Sequence, residues 1–112
     1  MSEIIVVGSL KARPGKEDET REALDSLVAP THAEDGCILY SLHQGVDDTT
    51  RFAFVERWES QEKLNAHLGS DHIAAVLAKA DELLSEPPDI IVYGPLPSGE
   101  ERKGSLAAHA GG

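Results

Sequence analysis

Short apolar runs, two stretches of helical spacing and the turn residues between them organise this chain. Ile4 to Leu10 is apolar and β-branched, the pattern of a strand, and Pro14-Gly15 breaks it. From Lys16 the spacing changes. Thr20, Leu24, Leu27, Val28 and Thr31 recur at helical intervals behind Glu17, Asp18 and Glu19, which suit the positive end of a helix dipole. Pro30 is expected to end or kink that helix near Ala29, and Asp35-Gly36 marks a turn. Cys37 to Gln44 and Arg51 to Glu59 read as strands two and three, a hairpin closed by the polar stretch Gly45 to Thr50. Ser60 is placed to cap a helix carrying Leu64, His67 and Leu68 on one face. Gly69 interrupts it. Ser70 or Asp71 starts a further helix with the stripe Ile73, Val76, Leu77, Ala80 and Leu84, which Pro87-Pro88 ends. Ile90 to Tyr93 is strand four.

The order β-α-β-β-α-β is that of an α+β, ferredoxin-like fold, an antiparallel sheet with helices on one face. Residues 1–97 are expected to form this one domain, and residues 98–112, rich in Gly, Ser and Ala, a flexible C-terminal tail. A sheet wetted on one side should alternate apolar and polar residues, and these strands mostly do not. Strand one sets Ile4 and Val6 against Ile5 and Val7; strand two sets Cys37 and Leu39 against Ile38, Tyr40 and Leu42; strand four sets Ile90 and Val92 against Ile91 and Tyr93. Two helices cover one face. The other is expected to be covered by a second copy of the chain, giving a homodimer through the open sheet face.

Charge narrows the partners. With a net charge of -10 the chain is a poor match for nucleic acid or for an anionic membrane surface. No apolar run approaches the length of a membrane span, and the N-terminus lacks the basic and apolar regions of a signal peptide, so a cytoplasmic protein is expected. The single cysteine, Cys37, lies in an apolar run and reads as a buried, inert thiol.

Candidate chemistry gathers in the second half of the domain. On strand three Phe52, Phe54, Glu56 and Trp58 share one face, a carboxylate among aromatics in a chain with only one Trp, two Tyr and two Phe. Either the aromatics are core and Glu56 is a rim ion pair, or this face lines a site. His67 points inward with Leu64 and Leu68, as a hydrogen-bonded core residue or as the working group of a cavity that Trp58 borders. His72 opens the next helical segment and is either a second polar site residue or a surface one. His32 and His109 read as solvated. His43, His67, His72 and Glu56 are the residues from which a metal site could be drawn, but no two of these histidines have the i, i+4 spacing of a helical ligand pair, so no metal is expected. No nucleotide, flavin or nucleophile-elbow motif is present, and no cofactor is expected.

Three segments carry a resemblance: VVGSLKARPG (Val6 onward), PTHAEDGCILYSLHQ (Pro30 onward) and FVERWESQEKLNAHLGSDHI (Phe54 onward), with E-x-W-x-S-x-E-x-L-x-x-H at the centre of the last. Over about residues 3–95 the chain resembles the antibiotic biosynthesis monooxygenase family, quinol-monooxygenase-like dimeric α+β barrel proteins. The resemblance implies a dimer with a pocket between helices and sheet in each protomer. It also implies oxygenation of electron-rich aromatics, quinols or anthrones, by dioxygen without flavin or metal. Carried over by position, Trp58 would line the pocket and His67 would be its polar working group, with Glu56 and His72 as weaker matches. Haem-degrading relatives place an asparagine on strand one, where this chain has Gly8, so haem cleavage is not expected. His67 is accordingly read as the base, Glu56 as a second catalytic group, and Phe52, Phe54, Trp58 and His72 as substrate-binding residues. The alternatives are an isomerase or degradative enzyme for a small carbonyl signalling metabolite, and a non-catalytic ligand-binding or stress dimer.

Overall fold

The computed structural model describes residues 3–106; His109 and the end of the expected tail lie outside them. Strands β1 (Ile4–Lys11), β2 (Cys37–Gln44), β3 (Arg51–Trp58) and β4 (Asp89–Tyr93) form one antiparallel sheet in the order β2-β3-β1-β4. The connections carry helices α1 (Glu17–Asp25), α2 (Val28–His32), α3 (Gln61–Leu68), α4 (Asp71–Leu77) and α5 (Ala80–Leu83). This is the α+β ferredoxin-like fold expected from the apolar pattern.

The helices pack on the sheet face of Val6, Phe52, Phe54 and Trp58, which are buried with Leu24, Leu27, Tyr40 and Leu64 in a single core. Burial of these side chains is the main stabilising term, roughly 1.5–3 kcal/mol for each large apolar group. The opposite face is apolar and only half covered: Ile91 and Tyr93 of β4 are 43% and 47% exposed. One charged pair belongs to that face, Arg57, buried and held by both oxygens of Glu3.

Three local details depart from the pattern. The first helix breaks at Ser26–Leu27 rather than at Ala29, and Pro30 sits inside α2. In so short a helix Pro30 falls in the first turn, where amides have no intrahelical acceptor, and the preceding break removes the clash a proline ring would make one turn back. In β2 the register shifts between Cys37 and Leu39, so Cys37 lies opposite Trp58 while Tyr40 lies opposite Glu56. Strict alternation put Cys37 and Tyr40 on opposite faces; the bulge at Ile38 brings both to the helix-covered face. Finally, the long helix breaks after Leu77, and Leu84 is extended, bridging to Ala12.

Candidate active site

Between helices and sheet lies a cavity of about 200 Å³. Its floor is Val6, Gly8, Leu10, Tyr40, Phe54 and Glu56 from the sheet; Leu24, Leu27, Leu64, Leu68, Ile73, Val76 and Leu77 from the helices enclose it, and Pro88 and Ile90 border it. Only Tyr40, Glu56 and His67 among its lining residues carry polar side-chain atoms. Gly8 makes room for it: Gly8 pairs with Phe54 on one side and Ile90 on the other, and has no side chain to fill the space over them.

His67 reaches the cavity from the last turn of α3. Ser60 starts that helix, its hydroxyl accepting the Lys63 amide at 3.3 Å. The residue is 1% exposed. Its ring centroid lies 4.7 Å from the Trp58 ring and 5.3 Å from Tyr40, which stacks on Phe54 at 4.6 Å. Nδ1 of His67 lies 2.7 Å from Oε2 of Glu34, and Nε2 makes no side-chain hydrogen bond among the described residues. A carboxylate accepts only, so Nδ1 carries the proton in the neutral ring and Nε2 keeps its lone pair. Burial lowers the His67 pKa, and the Glu34 carboxylate opposes that. The ring is therefore neutral near pH 7 and able to accept a proton.

Glu34 precedes the Asp35-Gly36 turn and is not among the site residues expected from the sequence. The turn places it: Gly36, at φ +91°, reverses the chain, and the Gly36 carbonyl accepts the Glu59 amide at 2.9 Å, tying the start of β2 to the end of β3. Lys63 of α3 pairs with Asp35 beside it. The same Glu34 oxygen accepts Nε2 of His72 at 2.7 Å, so one carboxylate joins two imidazoles from successive helices.

Glu56 is buried, and Trp58 donates its indole N–H to Oε1 at 2.8 Å. Burial raises the Glu56 pKa to about 7, the indole bond partly offsets this, and the negative Glu34 adds to it. Tyr40 is pushed up by burial and by the Glu56 charge, so it stays a phenol. Burial likewise pushes the Cys37 thiol up to about 11, which keeps it protonated.

Of the residues expected at a site, His67, Glu56 and Phe54 line the cavity. Trp58 is fully buried behind them and touches His67 and Glu56 instead. His72 stands outside the cavity on the far side of Glu34. Phe52 packs at the other end of the sheet, beside a surface groove with Asp18 and Arg21. His43 is exposed and bonds Ser41 at 2.9 Å, remote from the cavity. Glu34 and Tyr40 are the additions. The apolar partners of Tyr40 on β2 were legible, but a carboxylate in a turn carries no local sign of a distant histidine.

The comparisons with known proteins agree with this architecture. The sequence profile described as antibiotic biosynthesis monooxygenase matches residues 3–79. The chain belongs to the antibiotic biosynthesis monooxygenase family. Within similar proteins, Rv0793 of Mycobacterium tuberculosis, provisionally named a monooxygenase, is 36% identical over 95 residues, covering 85% of this chain and 93% of that protein. Its solved structure superposes with a TM-score of 0.81 at 33% identity, over 88% of this chain and 100% of that one. YcnE of Bacillus subtilis, likewise provisionally named a monooxygenase, is 31% identical over 88 residues, 79% of this chain and 93% of that protein. The structure of PA3566 from Pseudomonas aeruginosa matches with a TM-score of 0.81 at 28% identity, over 86% of this chain and 96% of that one. Family membership supports a general monooxygenase role. Among the described residues no helix is long and apolar enough to cross a membrane.

Proposed function

We propose that the protein is a cofactor-independent monooxygenase that oxidises a small electron-rich aromatic, of the quinol or anthrone type, with dioxygen, and that it works as a homodimer paired through the open sheet face. The observation that carries this reading is a neutral, carboxylate-oriented histidine reaching a mostly apolar cavity. Nε2 of His67 removes a phenolic or activated methylene proton, and Glu34 stabilises the imidazolium that forms. The enolate passes one electron to dioxygen. Recombination of substrate radical and superoxide, with return of a proton, gives a hydroperoxide, which loses water to leave a new carbonyl. For an anthrone methylene the balance is one dioxygen consumed, one oxygen atom kept and one water released. Glu56, protonated for much of the time near pH 7, supplies the proton to the departing hydroxide. Phe54 and Tyr40 offer flat faces to the ring, and Trp58 holds Glu56 and His67 in place.

The cavity is smaller than the ~300–1,000 Å³ common for ligand sites. Its border at Leu77 and Ile90, 52% and 49% exposed, is where a larger ring system would extend. The nearly apolar lining favours an aromatic substrate over a small polar carbonyl metabolite. The test is oxygen uptake by metal-free, flavin-free protein against quinols and anthrones, with His67→Ala beside it and circular dichroism as a check on folding. Uptake above the autoxidation blank, reduced roughly 10²–10⁴-fold in the variant, is expected. Ligand binding without uptake would point instead to a non-catalytic binding protein.

A further inference from the structure

We propose that Glu34, His67 and His72 form a binding site for a divalent transition-metal ion of the zinc or cobalt kind, and that its occupation silences His67 as a proton acceptor. The second clause rests on the monooxygenase reading; the first does not.

Oε2 of Glu34 lies 2.7 Å from both Nδ1 of His67 and Nε2 of His72, and the three ligand atoms all fall within 4.8 Å of one another. Two imidazole nitrogens and one carboxylate oxygen are the donor set that zinc and its neighbours take, leaving a position for water; calcium and magnesium prefer all-oxygen shells. Bonds of about 2.0–2.1 Å at tetrahedral angles would set the ligand atoms about 3.3 Å apart. The two Glu34–histidine pairs must therefore open by roughly half an ångström, from hydrogen-bond spacing to ligand spacing, and the two ring nitrogens, within 4.8 Å of each other, must settle at the same spacing. The chain can allow that. His67 ends α3 and His72 begins α4, with the Gly69-Ser70 break between them, so the two rings sit on separately movable turns. The side chains of His72 and Glu34 are 22% and 16% exposed, against 2% for His67, which gives an ion and its water a route in from the His72 side. Ser70 Oγ, 3.2 Å from Nε2 of His72, is a weaker neighbour that the ion would displace. The net charge of -10 concentrates cations around the chain.

His67 and His72 are five residues apart, a spacing that would not serve a ligand pair on one continuous helix. The break between α3 and α4 turns both toward Glu34, which is why the pattern argued against a metal and the folded chain argues for one.

Occupation has a defined chemical consequence. In the metal-free protein Nδ1 of His67 holds the proton and Nε2 the lone pair. A metal on Nδ1 displaces that proton, and the neutral ring then carries its hydrogen on Nε2. Nε2 becomes a donor, and Glu34 is no longer available to stabilise an imidazolium.

The test is isothermal titration of the full chain with Zn²⁺ and Co²⁺, with ¹⁵N-imidazole spectra recorded through the zinc titration. One ion per chain is expected, with affinity weakened about 10-fold or more in Glu34→Gln and His72→Ala. In the wild-type spectra the resonances of His72 Nε2 and of both ring nitrogens of His67 should move, with Nε2 of His67 passing from an unprotonated to a protonated nitrogen, while those of His32 and His43 stay. Absence of saturable binding, movement at His32 or His43 instead, or an Nε2 of His67 that loses its lone-pair shift to the metal while Nδ1 keeps its proton, would overturn the site without relying on any variant. Oxygen uptake should fall in proportion to zinc occupancy and return with chelator. Full uptake at full occupancy would overturn the silencing. A metal-free protein with no uptake at all would refute the monooxygenase reading, and the site would still be decided by titration and spectra.

Discussion

Glu34 does the most with the least local signal. Its carboxylate sets the His67 tautomer and favours the charged ring, while burial disfavours it. Replacing it with Gln removes the charge at nearly constant shape. Turnover should fall at least about 10-fold, and the acidic limb of the pH–rate profile should move to lower pH, because the carboxylate that favours the imidazolium is gone. A loss of turnover with the limb unmoved would mean that Glu34 acts only through packing. Glu56 makes a separate prediction. Its pKa is raised from an ordinary 4.5 to about 7, so the folded state prefers the acid. That contribution is complete below about pH 4.5 and is lost as pH rises through 7, a change of roughly 3 kcal/mol at most. His67, shifted downward, works in the opposite sense: its contribution is present above its ordinary 6.5 and is lost as pH falls below it. Glu56→Gln keeps an acceptor for the Trp58 indole, so urea denaturation should show the variant gaining on the wild type between pH 5 and 8. A constant difference across that range would contradict the buried acid.

At the scale of elements, the site depends on how turns deliver side chains. At Gly36 an added Cβ would fall 2.4 Å from Cγ of Lys63, in a backbone conformation that other residues adopt at a cost. Gly36→Ala should destabilise by roughly 1–3 kcal/mol and reduce turnover through Glu34; an unchanged melting temperature would show that the turn relaxes freely. Ser70 caps α4 by accepting the Ile73 amide at 3.4 Å, and Ser70→Ala should cost about 1 kcal/mol in thermal melts. These elements were largely legible in the sequence. The four strands, Ser60 as a cap and the interruption at Gly69 follow from apolar period and turn chemistry, because both are local properties. The bulge at Ile38 was not legible, since a bulge is fixed by what the partner strand presents. Nor was the helix break at Ser26–Leu27, where no strong breaker sits, whereas Pro30, the visible breaker, is tolerated. At the site, His67, Glu56 and Phe54 could be placed from strand and helix faces. Trp58 and Phe52 share the face of Phe54 but lie beyond the ends of the cavity, and alternation says nothing about distance along a strand.

For the whole molecule, the half-covered sheet face and the apolar cavity are the two features that the fold leaves to be completed by something else. Val55 lies on the open face, half-buried, opposite Val7 of β1 and Ser41 of β2. A charge there should split the proposed homodimer: Val55→Asp should sediment as a monomer where the wild type sediments as a dimer, and a monomeric wild type would contradict the pairing. In the proposed chemistry His67 removes a proton from a bound aromatic before oxygen reacts. The most direct test is anaerobic mixing of the metal-free protein with an anthrone, whose anion absorbs at longer wavelength than the neutral form. The anion band should grow with wild-type protein, be absent with His67→Ala, and decay when oxygen is admitted. An equal band with His67→Ala, or oxygen consumption by the wild type with no anion formed beforehand, would contradict that chemistry.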